Sequence, residues 1–249
     1  MRRADLGTIL TRRGTRRRGS ATSPADLGVA ATADFSAEAR RLALRIANLG
    51  VADWDVWADP DEPGIASLAD EDWRALVLDV GGFANPAEPS LVALGAFNAL
   101  WNRREGRAPI LIVIDEAHNI CPGEPPDPLQ AAATERAVQI AGEGRKFGLY
   151  PLLSTQRPAK LHPNVLSQCD NLVLMRMNSA ADLEHLAGTF SFVPPALLAE
   201  ASYFAQGETL LAGKIVPSPL LAHFGGRVSQ EGGGDVAADW ATARHARRS

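Results

Sequence analysis

Two short runs of uninterrupted aliphatic residues constrain this chain more than anything else in it: Ala75 to Val80 (ALVLDV) and Pro109 to Ile114 (PILIVI). Strands with one wet face alternate apolar and polar residues, whereas unbroken runs this short are the mark of strands covered on both faces of a parallel sheet. Between the two runs, Pro89 to Trp101 is almost continuously apolar and opens with proline followed by serine, which suits a crossover helix. Leu129 to Ala141 reads as a second helix, Leu149 to Ser154 as a third strand and Leu172 to Met177 as a fourth. An earlier helix is predicted over Phe35 to Leu49, where Ala39, Leu42, Ile46 and Leu49 recur at helical spacing. The alternation predicts an α/β fold, a mainly parallel sheet with helices on both faces. The longest apolar run falls far short of the ~18 residues a membrane-spanning helix needs, so no membrane association is expected.

Charge is distributed unevenly. The chain holds 25 basic and 29 acidic residues, yet seven arginines (Arg2, Arg3, Arg12, Arg13, Arg16, Arg17 and Arg18) crowd the first 20 residues beside a single acid, Asp5. Residues 1–33 lack hydrophobic periodicity and read as a basic, disordered arm; 34–222 form the folded domain; 223–249, with Gly232 to Gly234 in a row, read as a flexible tail. Asp5 and Thr8 interrupt the segment after the twin arginines, which is too short and polar for a signal core. The arm is either a nucleic-acid contact or a leader with no role. Three lysines against 22 arginines suit a GC-rich genome, where a misplaced start codon would add arginine-rich filler. Cys121 and Cys169 show neither metal-ligand nor disulfide-framework spacing, so a reducing cytoplasm is the expected compartment.

The chemistry concentrates where PILIVI runs into Asp115 and Glu116. Ligands of open parallel sheets lie beyond the carboxyl ends of the strands, and paired acids there form a Walker B arrangement. Asp115 would organise Mg²⁺ through its water shell, and Glu116 would polarise the water attacking a γ-phosphate. The bland alternative is that the pair merely begins a helix and favours its dipole. His118, completing the string DEAH, is either a hydrogen-bonded structural residue or a sensor. Arg145 and Lys146, in GEGRKFG, either complement a helix C-terminus or offer Arg145 as an arginine finger to a neighbouring subunit's nucleotide. Gln156 and Arg157 follow the strand Leu149 to Ser154 at the same sheet edge as Asp115, where an amide can donate to phosphate oxygen and accept from water.

The ordered series ILIVIDEAHN, GEGRKFG, LLSTQRP, PNVLSQCDNLVLMRMNSAADLEHL and FAQGETLLAGKIVPSPLL, over roughly residues 73–222, resembles the C-terminal half of a HerA-type ATPase of the HerA–FtsK superfamily. The resemblance implies a partial RecA-like P-loop NTPase core, ATP and Mg²⁺ as cofactors, and a hexameric ring that moves on double-stranded DNA, with a nuclease as partner. It makes Asp115 and Glu116 the Walker B pair, Arg145 the trans finger, and Gln156, with Arg157, the polar group at the nucleotide. Gln168, Asn171 and Arg176 fall in a retained block, where packing or turn formation is the competing role. DEAH-box helicases share four letters but none of their other motifs in order.

The sequence departs from that pattern in one large respect: no GxxxxGK[ST] occurs, and Lys146, Lys160 and Lys214 all follow the Walker B run. A P-loop surrounds the β- and γ-phosphates with backbone N–H groups and a lysine. Without one, little besides Mg²⁺ would offset repulsion between nucleotide and acid pair, so tight ATP binding by this chain alone is not expected. The readings are a truncated or split ATPase whose P-loop half is lost or separately encoded, a degenerate paralogue acting as a non-catalytic DNA-binding or ring-docking module, or a misleading resemblance to another α/β enzyme. A sheet missing its P-loop strand is expected to expose an edge and some apolar surface.

Overall fold

The computed structural model describes residues 37–57, 64–65, 73–226 and 228. The arginine-rich arm and the tail from residue 229 lie outside them. The described chain belongs to two compact units, one running to Asp170 and taking in Ala180–Ser191, the other made of Asn171–Ser179 and the residues from Phe192 onward.

The first unit is built on a parallel strand pair. β1 (Ile110–Ile114) and β2 (Leu149–Leu153) run in register from Ile110↔Leu149 to Ile114↔Leu153. They are joined through α3 (Pro128–Glu143), which packs on α2 (Glu88–Asn102). A short helix, α1 (Ala37–Asn48), precedes them. The start of α3 is legible in its residues: Pro128 occupies the first turn, and Asp127 Oδ1 accepts from the N–H groups of Leu129 (2.8 Å) and Gln130 (2.9 Å). Its end is set by glycines. A Cβ on Gly144 would lie 3.0 Å from Leu149 Cβ, and Gly148, at φ +85°, turns the chain into β2 against Ala108. Val92, Phe97 and Trp101 of α2, Ala133, Ala137 and Ile140 of α3, and Leu149 of β2 are buried. Two further helices belong to this unit, α4 (Pro163–Leu166) and α5 (Ala180–Thr189).

The structure corrects the sequence reading in two places. Residues 75–80 form no strand, and Val77 and Leu78 are exposed; a strand exists through its hydrogen-bonded neighbour, and an apolar run alone does not supply one. β1 and β2 are also not covered on both faces. Leu111 and Val113 (61% exposed each) and their register partners Tyr150 and Leu152 form a bare apolar face, while the alternate residues point to the interior. Pro151 is tolerated because β2 borders no further strand among the described residues: Gly148 O and Ser154 N bond to β1, so the even-numbered residues face β1 and the missing N–H of Pro151 faces away.

The second unit is an antiparallel sheet in the order β3 (Asn171–Leu174), β4 (Glu208–Gly213), β5 (Leu220–His223). The expected fourth strand is thus β3, paired antiparallel with β4 rather than in the parallel pair. Leu174, Leu210 and Ala212 are buried, as is Leu198 of α6 (Pro195–Ala199), and the buried Thr209 hydroxyl donates to Leu174 O at 3.1 Å. No helix among the described residues is long and apolar enough to cross a membrane.

Candidate functional site

Because β1 and β2 are parallel and end in register, the residues that follow them emerge side by side. Backbone bonding continues past the strands: Ser154 N–H donates to Ile114 O and Ala117 N–H donates to Ser154 O, both at 2.9 Å. These bonds lay Asp115–Ala117 against Ser154–Gln156. Further along, Gly123 N–H donates to Lys160 O and His162 N–H to Cys121 O, so the two outgoing loops remain tied.

Glu116 adopts the left-handed conformation, φ 45° and ψ 47°. For a residue with a Cβ this costs about 1–2 kcal/mol, and three bonds sustain it. Asp115 Oδ1 accepts from Glu116 N at 3.0 Å, Glu116 O accepts from Asn119 N at 2.8 Å, and the following amide is held by Ser154. Ala117, fully buried, leaves no room there for a larger side chain. With the backbone so turned, Glu116 Oε1 accepts from Gln156 Nε2 at 3.2 Å, across 40 residues of sequence. His118 Nδ1 lies 3.0 Å from Thr155 Oγ1 and 3.3 Å from Glu116 Oε2. Thr155 Oγ1 in turn accepts from Arg157 N at 3.0 Å.

The structure therefore brings Asp115, Glu116, Gln156 and the backbone of Arg157 to one strand edge. Arg145 is not among them. It sits in the turn before β2, at the opposite strand end, exposed and 3.5 Å from Asp170 Oδ2. Five residues of β2 separate the two ends, about 16 Å of extended chain. Asn171 and Arg176 belong to the second unit: Asn171 Oδ1 accepts from Ile215 N at 2.9 Å, fixing the β4–β5 connection, and Arg176 Nε is 3.5 Å from Asn178 Oδ1. Gln168 is exposed. The two cysteines are poor nucleophiles. Burial first, and Cys169 second, push the Cys121 thiol up to about 12, and burial followed by Asp170 raises Cys169.

No three His, Cys, Asp or Glu side chains converge as a metal cage among the described residues. Mg²⁺ does not require one, since it keeps several waters and uses one or two carboxylates plus phosphate oxygens. Asp115, exposed and accepting from its neighbour's amide through Oδ1, fits that demand. The fit to a triphosphate is incomplete, because the sequence holds no P-loop to surround it.

No family model matches the chain. Among curated proteins, the DNA double-strand break repair helicase HerA of Pyrococcus furiosus is 30% identical over 114 residues, 45% of this chain and 20% of the relative. The HerA of Sulfolobus acidocaldarius is 27% identical over 153 residues, 58% of this chain and 30% of the relative. About half of this chain is HerA-like. A probable helicase of Methanocaldococcus jannaschii is 30% identical over 131 residues, 51% of this chain and 25% of that protein. The HerA-like chain thus spans less than a third of the length of these relatives. Among solved structures, the genome packaging NTPase B204 of Sulfolobus turreted icosahedral virus 2, in complex with AMPPCP, matches 66% of this chain and 73% of its own length, at 17% identity and a TM-score of 0.47.

At the strand ends, sequence reasoning missed Thr155. Its signal was modest: a hydroxyl between the end of an apolar strand and Gln156, opposite a histidine three residues beyond Asp115.

Proposed function

We propose that this chain supplies the hydrolytic strand ends of a HerA-type, ATP-driven DNA-translocating ATPase whose phosphate cradle comes from a P-loop-bearing polypeptide segment that these residues do not contain. The observation that carries the reading is the Glu116–Gln156 hydrogen bond, which joins the acid pair after β1 to the amide after β2. The similarity to HerA helicases over about half the chain supports the same family of chemistry.

In this reading Asp115 holds Mg²⁺ through its waters, and the metal supplies charge that offsets the developing charge on the phosphoryl group. Glu116 orients the attacking water and draws its proton. Gln156, already hydrogen-bonded to Glu116, can donate to a phosphate oxygen while accepting from that water, and Arg157 lies beside it as a cation for the nucleotide. Arg145, remote from its own Glu116, serves the site of a neighbouring subunit. That role requires a ring, whose substrate is double-stranded DNA, whose partner class is a nuclease, and whose compartment is the cytoplasm.

The test is reconstitution. Mixed with a P-loop-bearing HerA-type polypeptide, the chain should gain Mg²⁺-dependent ATPase activity that neither component shows alone. Glu116→Gln should retain nucleotide binding and lose turnover, and Arg145→Ala should lose turnover while leaving assembly intact. No gain on mixing, or ATPase unchanged by Glu116→Gln, would refute the reading. Nucleotide-independent DNA binding by the chain alone, abolished by deleting residues 1–20, would favour a non-catalytic module instead.

A further inference from the structure

His118 takes no part in the mechanism above, yet its imidazole is well enclosed, with 14% of its side chain exposed. Nδ1 faces two oxygens, Thr155 Oγ1 at 3.0 Å and Glu116 Oε2 at 3.3 Å. The Glu116 carboxylate is divided between two environments. Oε1 accepts from Gln156, whereas Oε2 is shielded from solvent and makes no hydrogen bond, although 42% of the side chain as a whole is exposed. A shielded carboxylate oxygen is costly unless a donor faces it. Imidazole presents a donor here only with its proton on Nδ1. Thr155 is compatible with that arrangement: its oxygen accepts from Arg157 N and keeps a second lone pair for Nδ1–H.

We infer that His118 is a positioning residue whose Nδ1–H donates to Thr155 Oγ1 while facing the Glu116 Oε2 charge across 3.3 Å, and that it fixes the Glu116 rotamer presenting Oε1 to Gln156. In the competing arrangement the Thr155 hydroxyl donates to an unprotonated Nδ1, and that electronegative nitrogen faces Oε2 at 3.3 Å with no proton between them. The tautomer follows from local geometry alone; only its catalytic consequence rests on the proposed role of Glu116. Since His118 would reach the nucleotide through Glu116, its loss should appear in kcat and leave KM for ATP unchanged.

The experiment has two readouts. Long-range ¹H–¹⁵N correlation spectra of the full chain labelled with ¹⁵N-histidine resolve the tautomer of each of its five histidines, with His118 assigned by its absence from the spectrum of His118→Asn. The expected result is a protonated Nδ1, in either the neutral Nδ1–H form or the doubly protonated ring. A neutral ring with its proton on Nε2 overturns the inference, whatever the ATPase does. In the reconstituted ATPase, His118→Ala should lower kcat about tenfold, the lower end of what loss of such supporting hydrogen bonds costs. His118→Asn, whose amide N–H stands in for Nδ1–H, should restore most of it. Equal loss in both variants would refute the positioning role. If even the unsubstituted chain yields no ATPase on reconstitution, the functional reading fails, and the spectrum still decides the tautomer.

Discussion

Replacing Gly148 by alanine should destabilise the first unit and disturb the site at the far end of the same strands. Gly148 holds φ +85°, and a Cβ there would meet Ala108 O at 3.1 Å, Ala108 C at 3.3 Å and Arg107 O at 3.3 Å. The left-handed backbone alone costs a residue with a Cβ about 1–2 kcal/mol. Forcing a methyl group against three backbone atoms, which cannot rotate away as a side chain would, adds about 1–3 kcal/mol. Lower entropy of the unfolded chain returns about 0.4–1 kcal/mol. The net loss is roughly 1–5 kcal/mol, and at about 2–4 °C per kcal/mol for a chain of this size the middle of that range lowers Tm by roughly 6–12 °C. Gly142 is the control: it lies in α3, and a Cβ there would have nothing within 4 Å, so Gly142→Ala should stabilise by about 0.5–1 kcal/mol. Urea unfolding followed by far-ultraviolet circular dichroism measures both. Gly148→Ala at or above wild-type stability, or the two variants shifting in the same direction, would refute the reasoning. Because Gly148 O accepts from Ile110 N at 2.9 Å, it forms the first rung of the β1–β2 ladder, and a misplaced rung there also loosens the register that aligns Glu116 with Gln156.

Asp127→Ala removes the acceptor for two amides at the start of α3 and should cost about 0.5–2 kcal/mol in the same assay, whereas Asp127→Asn should cost less. Leu111→Lys with Val113→Lys, on the bare face of the parallel pair, should change stability by under about 0.5 kcal/mol and reduce aggregation measured by light scattering; a large loss of stability would mean that this face is covered in solution. Cys121 should resist thiol reagents in native buffer and react on unfolding. Its folded pKa, about 12, lies above the ordinary 9.0, so the folded state holds the thiol proton more tightly: its contribution is fully present below pH 9 and is lost as pH rises from 9 toward 12. That alkaline slope, at most about 1.4 kcal/mol per pH unit, should weaken in Cys121→Ala, and an unchanged slope would assign it to other groups.

Much of the first unit is legible locally. PILIVI and LYPLL announce strands by their unbroken apolar character, and α3 by the Asp127–Pro128 start and the Gly144–Gly148 exit, because each of these signals acts within a few residues of itself. What is not legible is pairing. ALVLDV carries the same local signal as PILIVI yet forms no strand, and NLVL and ETLLAG pair antiparallel across more than 30 residues, since partners are chosen by which edges meet and not by the run itself.

The site divides along the same line. Asp115, Glu116, Gln156 and Arg157 could be placed at one edge because each follows a strand of the parallel pair, and Arg145 could be placed elsewhere because it precedes one. The left-handed turn at Glu116 could not be read, since a glutamate stands where glycine or asparagine usually occupies that conformation, and the asparagine of DEAHN, Asn119, lies three residues further on. It exists because Ala117 N–H is committed to Ser154 O and Asn119 N–H to Glu116 O, a combination that only the assembled strand ends provide. Strain of this kind persists where the surroundings over-determine it, and here those surroundings belong wholly to the chain itself. The acid is held toward Gln156 by the chain's own backbone bonds and by the Gln156 amide itself.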